Sequence, residues 1–236
     1  MVIVNKPSGL LVHKSSIDYH ETRNLVDELN RRLNCRVHPV HRLDKPTSGI
    51  VVLALNADAA KALGHQFEQR QVRKTYVAVA RGFTNLYGYI EYPVGDKDRP
   101  KKPKTAAVTL YKAIARLELP HRVDRYPTTR YTLLEINPLT GRRHQIRQHM
   151  KHINHPLIGD TSYGKTAHNK LFTRLYNSSR LLLHASAVSF VHPVSKQPLT
   201  INASPIGLTT EANPFQTVLA DDRWQYIEDN TVSTPQ

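Results

Sequence analysis

An α+β fold, with a mixed and mostly antiparallel sheet flanked by helices, is predicted by three features of the 236-residue sequence. Segments of strand period recur at 74–81, 106–117 and 129–136. Two segments, 22–33 and 58–67, carry apolar residues at helical spacing. A last pair, 180–192 and 198–202, reads as a hairpin around Pro193-Val194-Ser195. No internal repeat and no linker-like stretch interrupts the chain, so residues 1–236 are read as one domain.

The elements follow in order. Val2-Ile3-Val4 is a short strand running into the turn Asn5-Lys6-Pro7-Ser8-Gly9, and Leu10-Leu11-Val12 resumes an extended path. Leu25, Val26, Leu29 and Leu33 form the apolar stripe of a first helix; Ala59, Ala60, Leu63 and Phe67 form that of a second. Between them, Ile50 to Leu55 is an apolar run of buried-strand length. In the strand at 74–81, Tyr76 and Ala78 share one face, and Val77 and Val79 the other. Residues 93–104 hold three prolines and dense positive charge without apolar period, which predicts a loop. After the strands at 106–117 and 129–136 come a turn at 137–141, a helix over 142–150 and a turn at 155–160. From about residue 221 the chain is acidic and polar and is expected to fray.

Lys and Arg number 33 against 19 Asp and Glu, a formal charge of +14, with 13 His besides. That balance predicts a polyanionic partner, nucleic acid first. No apolar stretch approaches the roughly 20 residues of a membrane-spanning helix. A single cysteine, Cys35, excludes an internal disulfide, and the first residues lack a secretory pattern, so a reducing cytoplasm is the expected setting.

The chemistry is sought in His41-Arg42-Leu43-Asp44-Lys45-Pro46-Thr47-Ser48-Gly49. It sets one carboxylate between cations on a Pro- and Gly-broken loop that leads into the apolar run. As it stands, Asp44 is either an ordinary turn carboxylate or a nucleophile or general base. The histidines His144, His149, His152 and His155 are the densest group of metal-ligand types. No carboxylate joins them at ligand spacing and Arg142, Arg143, Arg147 and Lys151 surround them, so no metal is expected. No phosphate-cradling glycine loop and no nucleophile elbow is present. An anionic side chain in an RNA-binding protein repels phosphate unless a cation pairs with it; paired in a dry pocket, it can act on a nucleotide taken out of the stack.

These residues match a known pattern. The Asp44 run resembles the central motif of the RluA-type pseudouridine synthases, and Asn5 to His13 resembles their first motif. Lys74-Thr75-Tyr76, Thr140 to His149, His155 to Asp160 and Leu181 to Ala185 resemble the remaining ones, in the family's order. Within that group, His65 to Gln69 and Arg125 to Tyr131 resemble a branch acting on tRNA.

The resemblance implies the pseudouridine synthase fold with a central active-site cleft. It also implies isomerisation of uridine to pseudouridine without metal, nucleotide or other cofactor. It assigns Asp44 the essential role, whether by attack on sugar or base or by removal of a ribose proton. Arg147 is implied as its ion-pair partner, Tyr76 as the ring stacked on the base, and Leu182 as an apolar wall. Arg42 would fill the gap left by the flipped nucleotide. Lys74, Arg142, Arg143, Lys97, Lys101, Lys102 and Lys104 are the expected RNA contacts. The expected substrate is tRNA, at the acceptor end of the T stem (position 65), with ribosomal RNA as the alternative; a monomer is expected. A non-catalytic RNA-binding protein and a glycosidase pairing Asp44 with Asp160 are the rival readings.

Overall fold

The computed structural model describes residues 1–14, 20–205 and 214–228. In chain order its elements are β1 (Val2–Lys6), α1 (Leu25–Leu33), β2 (His38–Pro39), β3 (Ser48–Ala54), α2 (Ala57–Glu68), β4 (Arg73–Arg81), β5 (Tyr87–Glu91), β6 (Val108–Leu119), β7 (Thr129–Pro138), α3 (Gln145–His152), α4 (Thr166–Tyr176), β8 (Leu183–Val191), β9 (Pro198–Asn202), α5 (Pro214–Leu219) and β10 (Gln225–Tyr226). The strands form one sheet in the order β1-β3-β8-β4-β7-β6-β10, with β2 beside β3, β5 beside β6 and β9 beside β8.

All pairings among the described strands are antiparallel except β3 with β8, where Ser48 lies opposite His184 and Gly49 opposite Ala185. β8 thereby fills the gap between the strand that follows the Asp44 loop and the strand that carries Tyr76. Gly49 permits the join. Its φ is +114°, and a Cβ there would meet the Ala185 carbonyl oxygen at 2.3 Å, so only glycine fits both the backbone angle and the approach.

Side-chain alternation divides the core. Ile50, Val52 and Ala54 of β3 pack with Ala59 and Leu63 of α2, while Val51 and Leu53 pack with Leu25 of α1. On β4, Ala78 and Ala80 meet Ile146 and Met150 of α3, while Val79 meets Leu171 and Phe172 of α4 and Phe215 and Val218 of α5. β3 and β4 are thus covered on both faces, which explains the unbroken burial of β3.

Three sequence expectations shift. The first helix starts at Leu25 rather than residue 22 because the Asn24 side chain caps it, accepting from the Asp27 N–H at 3.0 Å. The helix expected over 142–150 starts at Gln145 because His144 is left-handed, with φ 54°. The chain after Asp221 does not fray within its described part. Trp224 is buried and donates from Nε1 to the Val218 carbonyl at 2.8 Å, Asp221 accepts from the Tyr176 hydroxyl, and β10 pairs with β6. Residues 229–236 of that tail lie outside the described residues. No described helix is long and apolar enough to cross a membrane.

Candidate active site

The first motif holds the Asp44 loop from below. The Gly9 N–H donates to the Lys45 carbonyl at 2.9 Å and Ser8 Oγ to the Pro46 carbonyl at 2.7 Å. Lys6 has no exposed surface; its Nζ reaches the carbonyl oxygens of Pro7, Leu10 and Lys45 at 2.9, 2.8 and 3.2 Å. Burial and the neighbouring Arg180 push its ammonium down to about 7, with Asp44 acting in the opposite sense. Behind the loop, Arg180 donates to Ser48 Oγ, which bonds His184 Nδ1 at 2.7 Å. The loop closes on itself through the Thr47 N–H and the Asp44 carbonyl, 3.0 Å apart. His41 accepts the Val52 N–H at 2.9 Å and stacks on Phe67, so it is a structural member of the motif.

Asp44 opens into a cleft of about 490 Å³, whose lining includes Arg42, Lys74, Tyr76, Arg142, Arg143 and Arg147. Residues from β4, the Asp44 loop and the start of α3 therefore meet in one place, and Arg42 stands exposed at its mouth. Tyr76 is half-buried, and burial together with the Asp44 charge raises its hydroxyl well above the ordinary phenol range, so it stays protonated. Lys74 lies along the cleft with Nζ 3.2 Å from the Thr140 carbonyl; burial pushes it down to about 8.

The expected Asp44–Arg147 pair is the weaker of two. Arg147 Nη1 stands 3.5 Å from Asp44 Oδ2, whereas Nε and Nη2 bind both oxygens of Asp160 at 2.8 and 2.9 Å. The Asp160 side chain is wholly buried and also accepts the N–H groups of Ser162 and Tyr163 at 2.9 Å. Hydrogen bonds of this kind favour the ionised carboxylate over the cost of burial, and its pKa is lowered. Asp160 is the orienting residue that spacing did not reveal; it is a carboxylate turned away from the cleft, not a second acid facing Asp44.

One residue lies elsewhere than expected, and one residue of the cleft is already paired. Leu182 has no exposed surface and sits in the core with Val79 and Phe172; its neighbour Leu183 lines the cleft. Arg143 is engaged by the loop carboxylates Asp96, at 2.6 Å, and Asp98. Those two acids tie the basic loop to α3, assisted by Gln148, which donates to the Gly95 carbonyl and accepts the Gly95 N–H. Lys101, Lys102 and Lys104 stand exposed on that loop, and Lys97 Nζ lies 5.7 Å from the centre of the Tyr163 ring. Among the clustered histidines, His149 bonds the Tyr92 carbonyl and His155 that of Arg81.

The arrangement sets the Asp44 carboxylate, the Tyr76 phenol and the Arg147 guanidinium in a basic cleft of nucleotide size. The fold and the sequence have relatives. A human protein, RNA pseudouridylate synthase domain containing 1, superposes with a TM-score of 0.69 over 95% of this chain and 84% of that one, at 23% identity, a likeness of fold. Two bacterial proteins named tRNA pseudouridine synthase C are much nearer in sequence. That of Vibrio parahaemolyticus is 42% identical over 96% of this chain and 89% of its own. That of Haemophilus ducreyi is 41% identical over 96% and 90%. The model of the RNA pseudouridylate synthase family matches residues 1–152, which carry Asp44, Tyr76 and Arg147. On these grounds the chain belongs to the RNA pseudouridylate synthase family.

Proposed function

We propose that this protein isomerises uridine to pseudouridine in tRNA, with Asp44 as the reacting carboxylate. The observation that carries this reading is the Asp44 carboxylate facing a cleft of about 490 Å³, lined by Tyr76 and Arg147 and rimmed by Arg42, Lys74 and Arg142. That volume lies in the range of roughly 300–1,000 Å³ typical of small-ligand sites, enough for one extruded nucleotide and too little for a helix. A nucleotide must therefore leave its stack to react.

The reaction needs no external atom or electron. The bond from ribose C1′ to uracil N1 breaks, the base turns, and C1′ bonds to C5; the C5 proton leaves and N1 gains one. Asp44 initiates this exchange. Arg147, clamped by Asp160, keeps Asp44 aimed, and Tyr76 stacks on the detached base with its hydroxyl near C5. Arg42 takes the vacated place in the helix through its flat guanidinium. Lys74, Arg142 and the loop lysines neutralise phosphates. The names of the bacterial relatives support tRNA as substrate, and within it the target is a uridine at the acceptor end of the T stem, position 65. The protein works in the cytoplasm as a monomer, its charge of +14 opposing self-association.

Incubation with tRNA transcript tritiated at uracil C5 tests the reading. Release of label without loss of base or strand, absent in Asp44→Asn, is the expected result. Full activity in that variant, or release of free uracil, would refute it. Release from ribosomal RNA alone would move the substrate and keep the chemistry.

A further inference from the structure

The Asp44 carboxylate is approached on one and the same oxygen by two side chains. Arg147 Nη1 stands 3.5 Å and His144 Nε2 3.9 Å from Oδ2. His144 reaches this position through a left-handed backbone, φ 54°, on the residue just before α3. A non-glycine side chain is uncommon there and persists where its surroundings hold it.

The holder is Tyr163. Its hydroxyl lies 3.1 Å from His144 Nδ1, and its ring lies over the Arg147 guanidinium, 5.2 Å from centroid to Cζ. Asp160 fixes Tyr163 in turn by accepting its backbone N–H at 2.9 Å. Residues 144, 147, 160 and 163 thus close a circuit that ends on Asp44 Oδ2.

The tautomer follows from donors and acceptors. Burial, reinforced by the Arg147 and Arg143 charges and opposed by Asp44 and Asp160, lowers the imidazole pKa, so His144 is neutral at neutral pH. An anionic carboxylate only accepts, so the ring nitrogen turned to it carries the proton. Nδ1 then accepts from the Tyr163 hydroxyl, which burial keeps protonated.

We propose that His144 is a positioning residue for Asp44: locked by Tyr163, it presents Nε2–H to Oδ2, shares that oxygen with Arg147, and leaves Oδ1 for the nucleotide. The 3.9 Å gap closes to a hydrogen bond when the bound nucleotide displaces water, as catalytic contacts tighten on substrate binding. The inference rests on Asp44 being the reacting group.

Two variants and one spectrum test it. His144→Asn tolerates the left-handed backbone but is too short to reach Oδ2; His144→Gln keeps an N–H donor of similar reach. With tRNA tritiated at C5, kcat is expected to fall about ten- to a hundredfold in the Asn variant at unchanged KM, the scale of a misaimed reacting group. The Gln variant should stay within about threefold of wild type. An Asn variant equal to wild type, or a loss confined to KM, overturns the inference. Imidazole nitrogen shifts of the RNA-free protein provide a readout independent of turnover: the Nε2–H tautomer is expected at His144, and Nδ1–H refutes the arrangement. A wild type that releases no label sinks the functional reading, while the tautomer still decides the fate of the His144 contact.

Discussion

Arg147 gives Asp160 two short hydrogen bonds, at 2.8 and 2.9 Å, and leaves Asp44 a single contact at 3.5 Å. The stability of the site and its reactivity are thereby assigned to different carboxylates. Asp160→Asn removes the charge partner of an arginine whose side chain is 4% exposed, and loss of one member of a buried pair costs about 3–5 kcal/mol. Asp44→Asn removes a long contact of about 1 kcal/mol or less. Urea denaturation should therefore show a large shift for Asp160→Asn and little for Asp44→Asn, while label release is lost in the second although its fold is intact.

Gly49→Ala tests the seam beneath the loop. A methyl group would overlap the Ala185 backbone and force an L residue to φ +114°, so the β3–β8 join must move. We expect a loss of about 3 kcal/mol or more and a drop in kcat, because the displaced strand carries Asp44 with it. An alanine variant with wild-type stability would contradict the geometry.

Acid should unfold the protein through its histidines. Burial, the leading cause at each, pushes His41, His168 and His184 down to about 4, with Lys74, Arg81 and Arg180 respectively adding to the effect. Unfolded, each binds a proton near 6.5. Between these values the unfolded state holds more protons, so stability is intact above pH 6.5 and falls as pH drops towards 4. Where the three charge together the slope reaches roughly 4 kcal/mol per pH unit. Urea midpoints across this range should fall steeply, and His168→Gln should flatten the curve. A flat wild-type profile would contradict the burial of these rings in neutral form.

Replacing Lys101, Lys102 and Lys104 together by alanine should raise KM for tRNA and leave kcat unchanged, because these side chains stand on an exposed loop and do not line the Asp44 cleft. The slope of log affinity against log salt should become shallower by about 0.7–0.9 for each phosphate that the loop no longer neutralises. An unchanged slope would remove the loop from the RNA surface.

The sheet and the cleft were legible where a residue's chemistry and its local pattern agree. Asp44 stands beside Pro46 and Gly49 ahead of an apolar run, and Tyr76 alternates along a strand, so their places on a loop and a strand follow from short-range signals, whereas their roles came from the family resemblance. The role of Asp160 did not, because its link to Arg147 joins a helix to the loop after it and leaves no period in the sequence. The Leu181-Leu182-Leu183 run could not show which leucine faces the cleft; register decides that, and a slip of one residue exchanges wall and core. β5, α4 and α5 were not anticipated. β5 is a five-residue strand containing Gly88, whose missing Cβ makes room for the Tyr111 ring. The polar tail after Asp221 read as frayed because one tryptophan, Trp224, and one hydrogen bond, from the Tyr176 hydroxyl to Asp221, anchor it, and neither has a compositional signature.

The parallel seam between β3 and β8 bears on how the enzyme comes into being. Asp44, Tyr76 and Arg147 lie within the first 147 residues, yet the clamp Asp160 follows them and the strand that separates and supports β3 and β4 is drawn from Leu183–Val191. During synthesis, the growing chain exposes Asp44, Tyr76 and Arg147 well before it can seat them. The site is therefore complete only once β8 has been made, and a chain terminated before Leu183 would carry the residues without the strand that joins them.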